Sequence, residues 1–152
     1  MNNLKALTFD YNGLTNIIET NCNICPTYNP DNQHSTKFRA LWDTGAMASV
    51  ISAKVVNDLQ LQPVGRAKVI HANGESLVDT YMIDIQLINN IEFCSLHVTE
   101  GLFTDTDVLI GMDIISQGDF AITSHENNTK LSFQVPSTHN IDFVKEIIDK
   151  NI

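Results

Sequence analysis

Apolar and polar positions alternate with a period near two along most of this chain, a pattern that predicts strands rather than helices. Residues 4–9 and 14–19 carry short runs of this kind on either side of Asn12-Gly13. Both residues of that dipeptide tolerate positive φ, so an N-terminal hairpin is expected. Residues 21–35, rich in Asn, Pro and Asp, are expected to form a loop. Residues 37–42 and 49–51 read as strands. Residues 52–59 read as a short helix capped by Ser52, with Val55, Val56 and Leu59 on one face. Two β-rich runs, 67–72 and 76–87, surround a tip at Ala72-Asn73-Gly74-Glu75, a second Asn-Gly hairpin signal. Residues 91–98 alternate as a strand, which places Cys94 and His97 on opposite faces.

The continuous apolar run Val108-Leu109-Ile110 ends in Gly111 and fits a fully buried strand. A short helix over 112–117 should stop at Gly118, with Asp113 favourably placed near its N-terminus. Residues 120–123 and 130–135 form a last hairpin around 126–128, closed by Pro136. From Asn140, a cap candidate, Ile141, Val144, Ile147, Ile148 and Ile152 form a helical stripe that must dock on its own domain, a partner subunit or a substrate. The resulting class is all-β with short helices in a single domain: an N-terminal hairpin and loop extension over 1–36, a core over 37–136 and a C-terminal helix over 137–152.

Composition narrows the class of function. The chain has 152 residues, enough for a core of its own, and 43% hydrophobic content marks it as globular. A net charge of −9 without a basic run argues against nucleic acid as a partner. The longest apolar runs fall far short of the roughly 18–20 residues that span a bilayer, so no membrane partner is expected. Three cysteines and no evident export signal fit a reducing compartment, and a cytoplasmic location is expected. Cys22-Asn23-Ile24-Cys25 has no second pair; zinc would need two further ligands, for which His34 and one other are the candidates, and two incidental thiols in a loop are the simpler account. No metal or cofactor is expected.

The candidate chemistry lies at Ala40-Leu41-Trp42-Asp43-Thr44-Gly45-Ala46, where an apolar strand delivers a carboxylate to a Thr-Gly turn. A carboxylate in that position is costly unless hydrogen bonds or chemistry compensate for it. Together with Ser49, the hairpin ribbon after it, Ile110-Gly111-Met112-Asp113-Ile114-Ile115 and Gly118-Asp119-Phe120-Ala121-Ile122-Thr123, this order resembles the retropepsin-like aspartic proteases, and among them the bacterial members. The resemblance covers about residues 38–135. It implies a closed β-barrel of the acid protease type, acting as a homodimer on polypeptide substrates. It also implies that Asp43 is catalytic and pairs with Asp43 of the other subunit, that Thr44 bonds across the dimer, and that Gly45 lets the backbone approach the substrate. Substrate contacts would come from Ala46, Met47 and Ile110, and from Ala72, Asn73 and Gly74 at the tip of a flap, a tip less glycine-rich than the viral pattern. Counting agrees with a dimer, because the chain holds one Asp-Thr-Gly and no Asp-Ser-Gly.

Viral members often carry an acidic residue and an Arg where this chain has Met47 and Met112, and an apolar contact between the two methionines is expected instead. Their termini also differ from this chain's, which could build another interface or cover the cleft. The alternative to an enzyme is a retropepsin-fold binding or dimerisation module in which Asp43 is a structural turn residue.

Overall fold

A computed structural model describes residues 3–27, 35–71 and 74–150. Strands β1 (Lys5–Asp10), β2 (Glu19–Pro26), β3 (Thr36–Trp42) and β4 (Val50–Ser52) lead into helix α1 (Ala53–Asp58). Strands β5 (Gly65–His71), β6 (Gly74–Leu87), β7 (Ile91–Gly101) and β8 (Val108–Ile110) precede α2 (Met112–Ile115). Strands β9 (Asp119–His125) and β10 (Asn128–Val135) and helix α3 (Phe143–Asp149) complete the described chain. With 53% strand and 14% helix, the all-β class holds.

Six strands close into a barrel in the order β2-β3-β8-β4-β7-β6, with β6 pairing back to β2. Closure leaves none of these six with a free edge, the usual solution to the exposed hydrogen-bonding groups of a sheet. The β3–β8 and β4–β7 pairings are parallel and the others antiparallel. The interior is filled by the inward half of each alternating strand: Ile24, Ile51, Ile83, Ile85, Ile91, Val98, Val108 and Ile110 are fully buried. Each such side chain contributes about 1.5–3 kcal/mol through the apolar surface it removes from water. Strand β5 hangs on β6 outside the ring, so this hairpin projects from the barrel wall.

A second sheet, β1-β10-β9, packs beside the barrel. Trp42 joins the two units. Its ring lies 5.5 Å from Phe120 and 5.3 Å from Phe133, and its indole N–H donates to the buried Thr20 hydroxyl at 3.0 Å.

The N-terminal hairpin expected around Asn12-Gly13 does not form. Strand β1 pairs along its whole length with β10, from Lys5↔Val135 to Asp10↔Lys130. The turn itself exists, with Gly13 at φ 92°, and its backbone bonds to Thr129. The run after it is not a strand, however, and leaves Leu14 and Ile17 exposed. Strand β2 starts at Glu19 and continues through Asn21–Pro26 of the expected loop, because Thr20, Cys22 and Ile24 alternate inward against Asn21 and Asn23. Small and polar residues conceal that period in the sequence, yet it makes β2 a stave paired to both β3 and β6.

Strand β7 departs from simple alternation at Ser95, where φ is 56° and the register slips between Ile83 and Ile85. This bulge inserts one extra outward residue, so Cys94 and His97 are both exposed instead of facing opposite ways. Asp84 Oδ1 accepts the displaced Ser95 N–H at 2.7 Å. The cap of α3 is Asp142 rather than Asn140; its carboxylate accepts from Lys145 N at 3.0 Å. Helix α1 forms as its sequence indicates, with the Ser52 hydroxyl accepting from Val55 N.

Candidate active site

Strand β3 delivers Asp43 to the barrel's end. The Asp43 N–H donates to Ile110 O at 2.9 Å, which extends the β3–β8 pairing by one step past Trp42. The chain then turns sharply, with Ala46 N–H donating to Asp43 O at 3.2 Å. Inside that turn Gly45 N–H donates to Asp43 Oδ1 at 2.8 Å. A Cβ on Gly45 would stand 3.1 Å from the same oxygen, so glycine permits this close approach. Asp43 is half-buried, while Thr44 and Gly45 are exposed. The arrangement fixes one carboxylate oxygen and turns the loop that carries it toward solvent.

A layer beneath the loop sets its height; the sequence placed the strand ending in Gly111 there but not the hydrogen bonds that join it to Ser49 and Asp113. Ser49 is fully buried; its hydroxyl donates to Asp113 Oδ1 at 2.8 Å and accepts Gly111 N–H at 3.1 Å. Met112 N–H donates to Ala46 O at 2.8 Å. Gly111 lies so close to the loop that a Cβ would meet Ala48 C at 2.6 Å and Ala48 O at 2.7 Å. Asp113 does sit in the first turn of α2, as expected, but it also ties that helix to the candidate loop. The signal available was a serine six residues after Asp43 and an aspartate two residues after Gly111, neither of which is distinctive alone.

The other candidate residues divide by placement. Ala46 and Met47 share the turn with Asp43, Thr44 and Gly45. Met47 is 90% exposed, so the expected apolar contact with Met112 is not made within the chain; the backbone bond from Met112 to Ala46 links the two segments instead. Ile110 is fully buried beneath the loop, so its side chain packs the barrel and is not available for the expected substrate contact. Gly74 begins β6 at the outer end of the β5–β6 hairpin, at φ 124°. Ala72 and Asn73 lie outside the described residues, as does His34. The hairpin exposes Ile70 and Leu77 and carries two surface ion pairs, Arg66–Asp79 at 3.0 Å and Lys68–Glu75 at 2.5 Å. Exposed pairs of this kind contribute about 0–1 kcal/mol, so they bias the ribbon's shape without locking it.

Cys22 and Cys25 lie on strand β2 and are both buried, where a loop was expected. Burial, with Asp107 nearby, pushes the Cys22 thiol up to about 12. Among the described residues no group of three His, Cys, Asp or Glu is placed to hold a metal ion. No helix among them is long and apolar enough to cross a membrane.

A family model described as "gag-polyprotein putative aspartyl protease" matches residues 32–117, the span that carries the Asp43 turn, the β5–β6 hairpin, β8 and α2. Among solved structures, a retropepsin-like aspartic protease from Rickettsia conorii superposes with a TM-score of 0.54 at 13% identity, over 87% of this chain and 95% of that one. EIAV protease, in a complex with the inhibitor HBY-793, superposes with a TM-score of 0.53 at 19% identity, over 70% and 90% of the two chains. At these identities the likeness is one of fold. No curated protein matches the chain.

Proposed function

The chain belongs to the family of gag-polyprotein aspartyl proteases, and on that premise we propose that it is an aspartic endopeptidase whose two catalytic carboxylates are Asp43 of one protomer and Asp43 of its partner. The observation that carries this is the Asp43 turn: a carboxylate held at one oxygen by Gly45 N–H at 2.8 Å, on an exposed loop at the end of a buried strand. The chain supplies one such carboxylate, and a two-fold axis beside the loop supplies the second.

Two carboxylates within a few ångströms do not both ionise, so the pair shares a proton. The ionised member takes a proton from a water molecule as the water oxygen bonds to the peptide carbonyl carbon. The protonated member gives its proton to the carbonyl oxygen. Collapse of the resulting gem-diol breaks the C–N bond: the leaving nitrogen takes a proton from the protonated member, and one gem-diol hydroxyl returns its proton to the ionised member as the carbonyl re-forms, which restores the shared-proton pair. The Gly45 N–H leaves the pair oriented without neutralising it. Thr44, exposed beside Asp43, hydrogen-bonds across the axis and keeps the two loops level. The β5–β6 hairpin closes over the polypeptide, orients it through backbone hydrogen bonds and excludes bulk water.

Peptide cleavage by the purified chain, compared with Asp43→Asn, tests this. The substitution keeps shape and size and removes the acid–base function, so the rate should fall by about 10²–10⁴-fold or more with the circular dichroism spectrum unchanged. Equal activity in the two proteins would sink the proposal.

A further inference from the structure

Asp119, the first residue of β9, gathers the chain as it leaves β10. One carboxylate oxygen accepts from the Ser137 hydroxyl; the other accepts from Thr138 N–H at 3.0 Å and Gln134 Nε2 at 2.7 Å, with His139 Nδ1 at 3.3 Å. The side chain is 11% exposed, so these donors stand in for most of its water. Hydrogen bonds to an ionised group are roughly twice as strong as neutral ones. The β9–β10 ladder does not need them, because Asp119 already pairs with Gln134 in its register. The side chain serves the residues beyond Pro136 instead.

The knot fixes the junction between α2 and β9. Ser137 N–H donates to Gln117 O at 3.3 Å, and Gln117 Nε2 donates to Asp113 O at 2.8 Å. Gly118 presses so closely on β10 that a Cβ there would overlap Gln134 O. Asp113 Oδ1 accepts from the Ser49 hydroxyl, and Met112 N–H donates to Ala46 O in the Asp43 turn. A continuous run of contacts therefore leads from Asp119 to the candidate loop through α2. That helix has four residues, too few to hold itself, so what it is tied to decides where it sits. The next residue of β9 reaches the same place by another way: Phe120 stacks on Trp42 at 5.5 Å, and Trp42 immediately precedes Asp43.

We propose that Asp119 is a positioning residue for peptide cleavage: by binding the residues after Pro136 it fixes α2, and through Asp113 and Ser49 it sets the height of the Asp43 turn. This rests on the paired-aspartate function above and extends it to a residue outside the site. Each protomer contributes one Asp43, so a shift of the turn acts twice and changes the separation of the two carboxylates. A misplacement of about 1 Å far from the chemistry can cost about 10²-fold in rate.

Kinetics and amide hydrogen exchange of Asp119→Asn, at a temperature where circular dichroism shows it folded, test this. The amide keeps the shape but turns one acceptor oxygen into a donor, which breaks the knot on one side. The expected result is a fall in kcat of about ten- to a hundredfold with KM within about twofold of the wild type. The Gly111 and Met112 amides should exchange faster, while those of β6 and β7 keep wild-type protection. Gln117→Ala cuts the same route at an exposed side chain; it should lower kcat in the wild type and add little in Asp119→Asn. Asp10→Asn, which breaks an exposed ion pair with Lys130 in the same sheet, should leave both readouts unchanged. Wild-type exchange at Gly111 and Met112 in Asp119→Asn overturns the proposal. So does acceleration spread evenly over the barrel, which marks lost stability alone, or full additivity of the Asp119 and Gln117 substitutions in kcat. A wild-type chain that cleaves no peptide sinks the paired-aspartate function instead, and the exchange pattern still decides whether Asp119 sets the loop.

Discussion

The Ser49 hydroxyl bridges Asp113 Oδ1 at 2.8 Å and Gly111 N–H at 3.1 Å from a fully buried position. One side chain thereby couples the segment after the Asp43 turn to the end of β8 and the start of α2. Ser49→Ala leaves a buried N–H and a carboxylate without this partner, a loss of about 1–3 kcal/mol. Denaturant unfolding should register that loss. Peptide cleavage should fall as well, because the Asp43 loop rests on this layer.

Gly111→Ala tests the closeness of the same contact. The added methyl meets the Ala48 backbone at 2.6 Å and Ala46 O at 3.0 Å, atoms that cannot rotate away. Overpacking of this kind costs about 1–3 kcal/mol and lifts the loop. The expected outcome is a lower unfolding midpoint with a fall in cleavage rate, whereas Gly13→Ala, which meets no neighbour within 4 Å but strains a backbone at φ 92°, should lower the midpoint and leave cleavage by the folded protein unchanged.

Asp119 makes the attachment of the C-terminal segment depend on pH. The Ser137 hydroxyl and Thr138 N–H, with Gln134 and His139, hold its carboxyl well below the usual aspartate value of 3.8. A pKa lowered by folding contributes stability above the unfolded value, and that contribution is lost as pH falls below it toward the folded value. The wild type should therefore be more stable than Asp119→Asn at neutral pH. The gap should narrow only below about pH 4, in denaturant titrations run across that range.

Thiol labelling checks the placement of β2 and of the β7 bulge. Cys94 is exposed, whereas Cys22 is buried with its thiol pushed up to about 12. A thiol-specific reagent at neutral pH should modify Cys94 in the folded protein and reach Cys22 only on unfolding, as read by mass spectrometry of digests. Fast native modification of Cys22 would contradict the inward face assigned to β2.

Local pattern made some of this architecture legible. The strand into Asp43, the tight Thr-Gly turn, helix α1 with its Ser52 cap, the buried run at β8 and the last hairpin all rest on signals within a few residues of one another. The barrel stave β2 escaped notice because Thr20 and Cys22 are weak markers of an inward face. Ile110 was misplaced because an apolar residue near a candidate site reads alike whether it lines a cleft or packs beneath it.

By itself the sequence determined the all-β class, the single Asp-Thr-Gly turn and the family, because period, turn chemistry and motif order are written in neighbouring residues. Tertiary structure decided the rest. It paired β1 with β10 across more than a hundred residues of chain, set the bulge at Ser95 that turns Cys94 and His97 to the same side, and brought Ser49 beneath Asp43 against Gly111 and Asp113. Each of these depends on which distant edge closes the sheet, and loop-closure entropy penalises long separations too weakly to announce the winner in the local pattern.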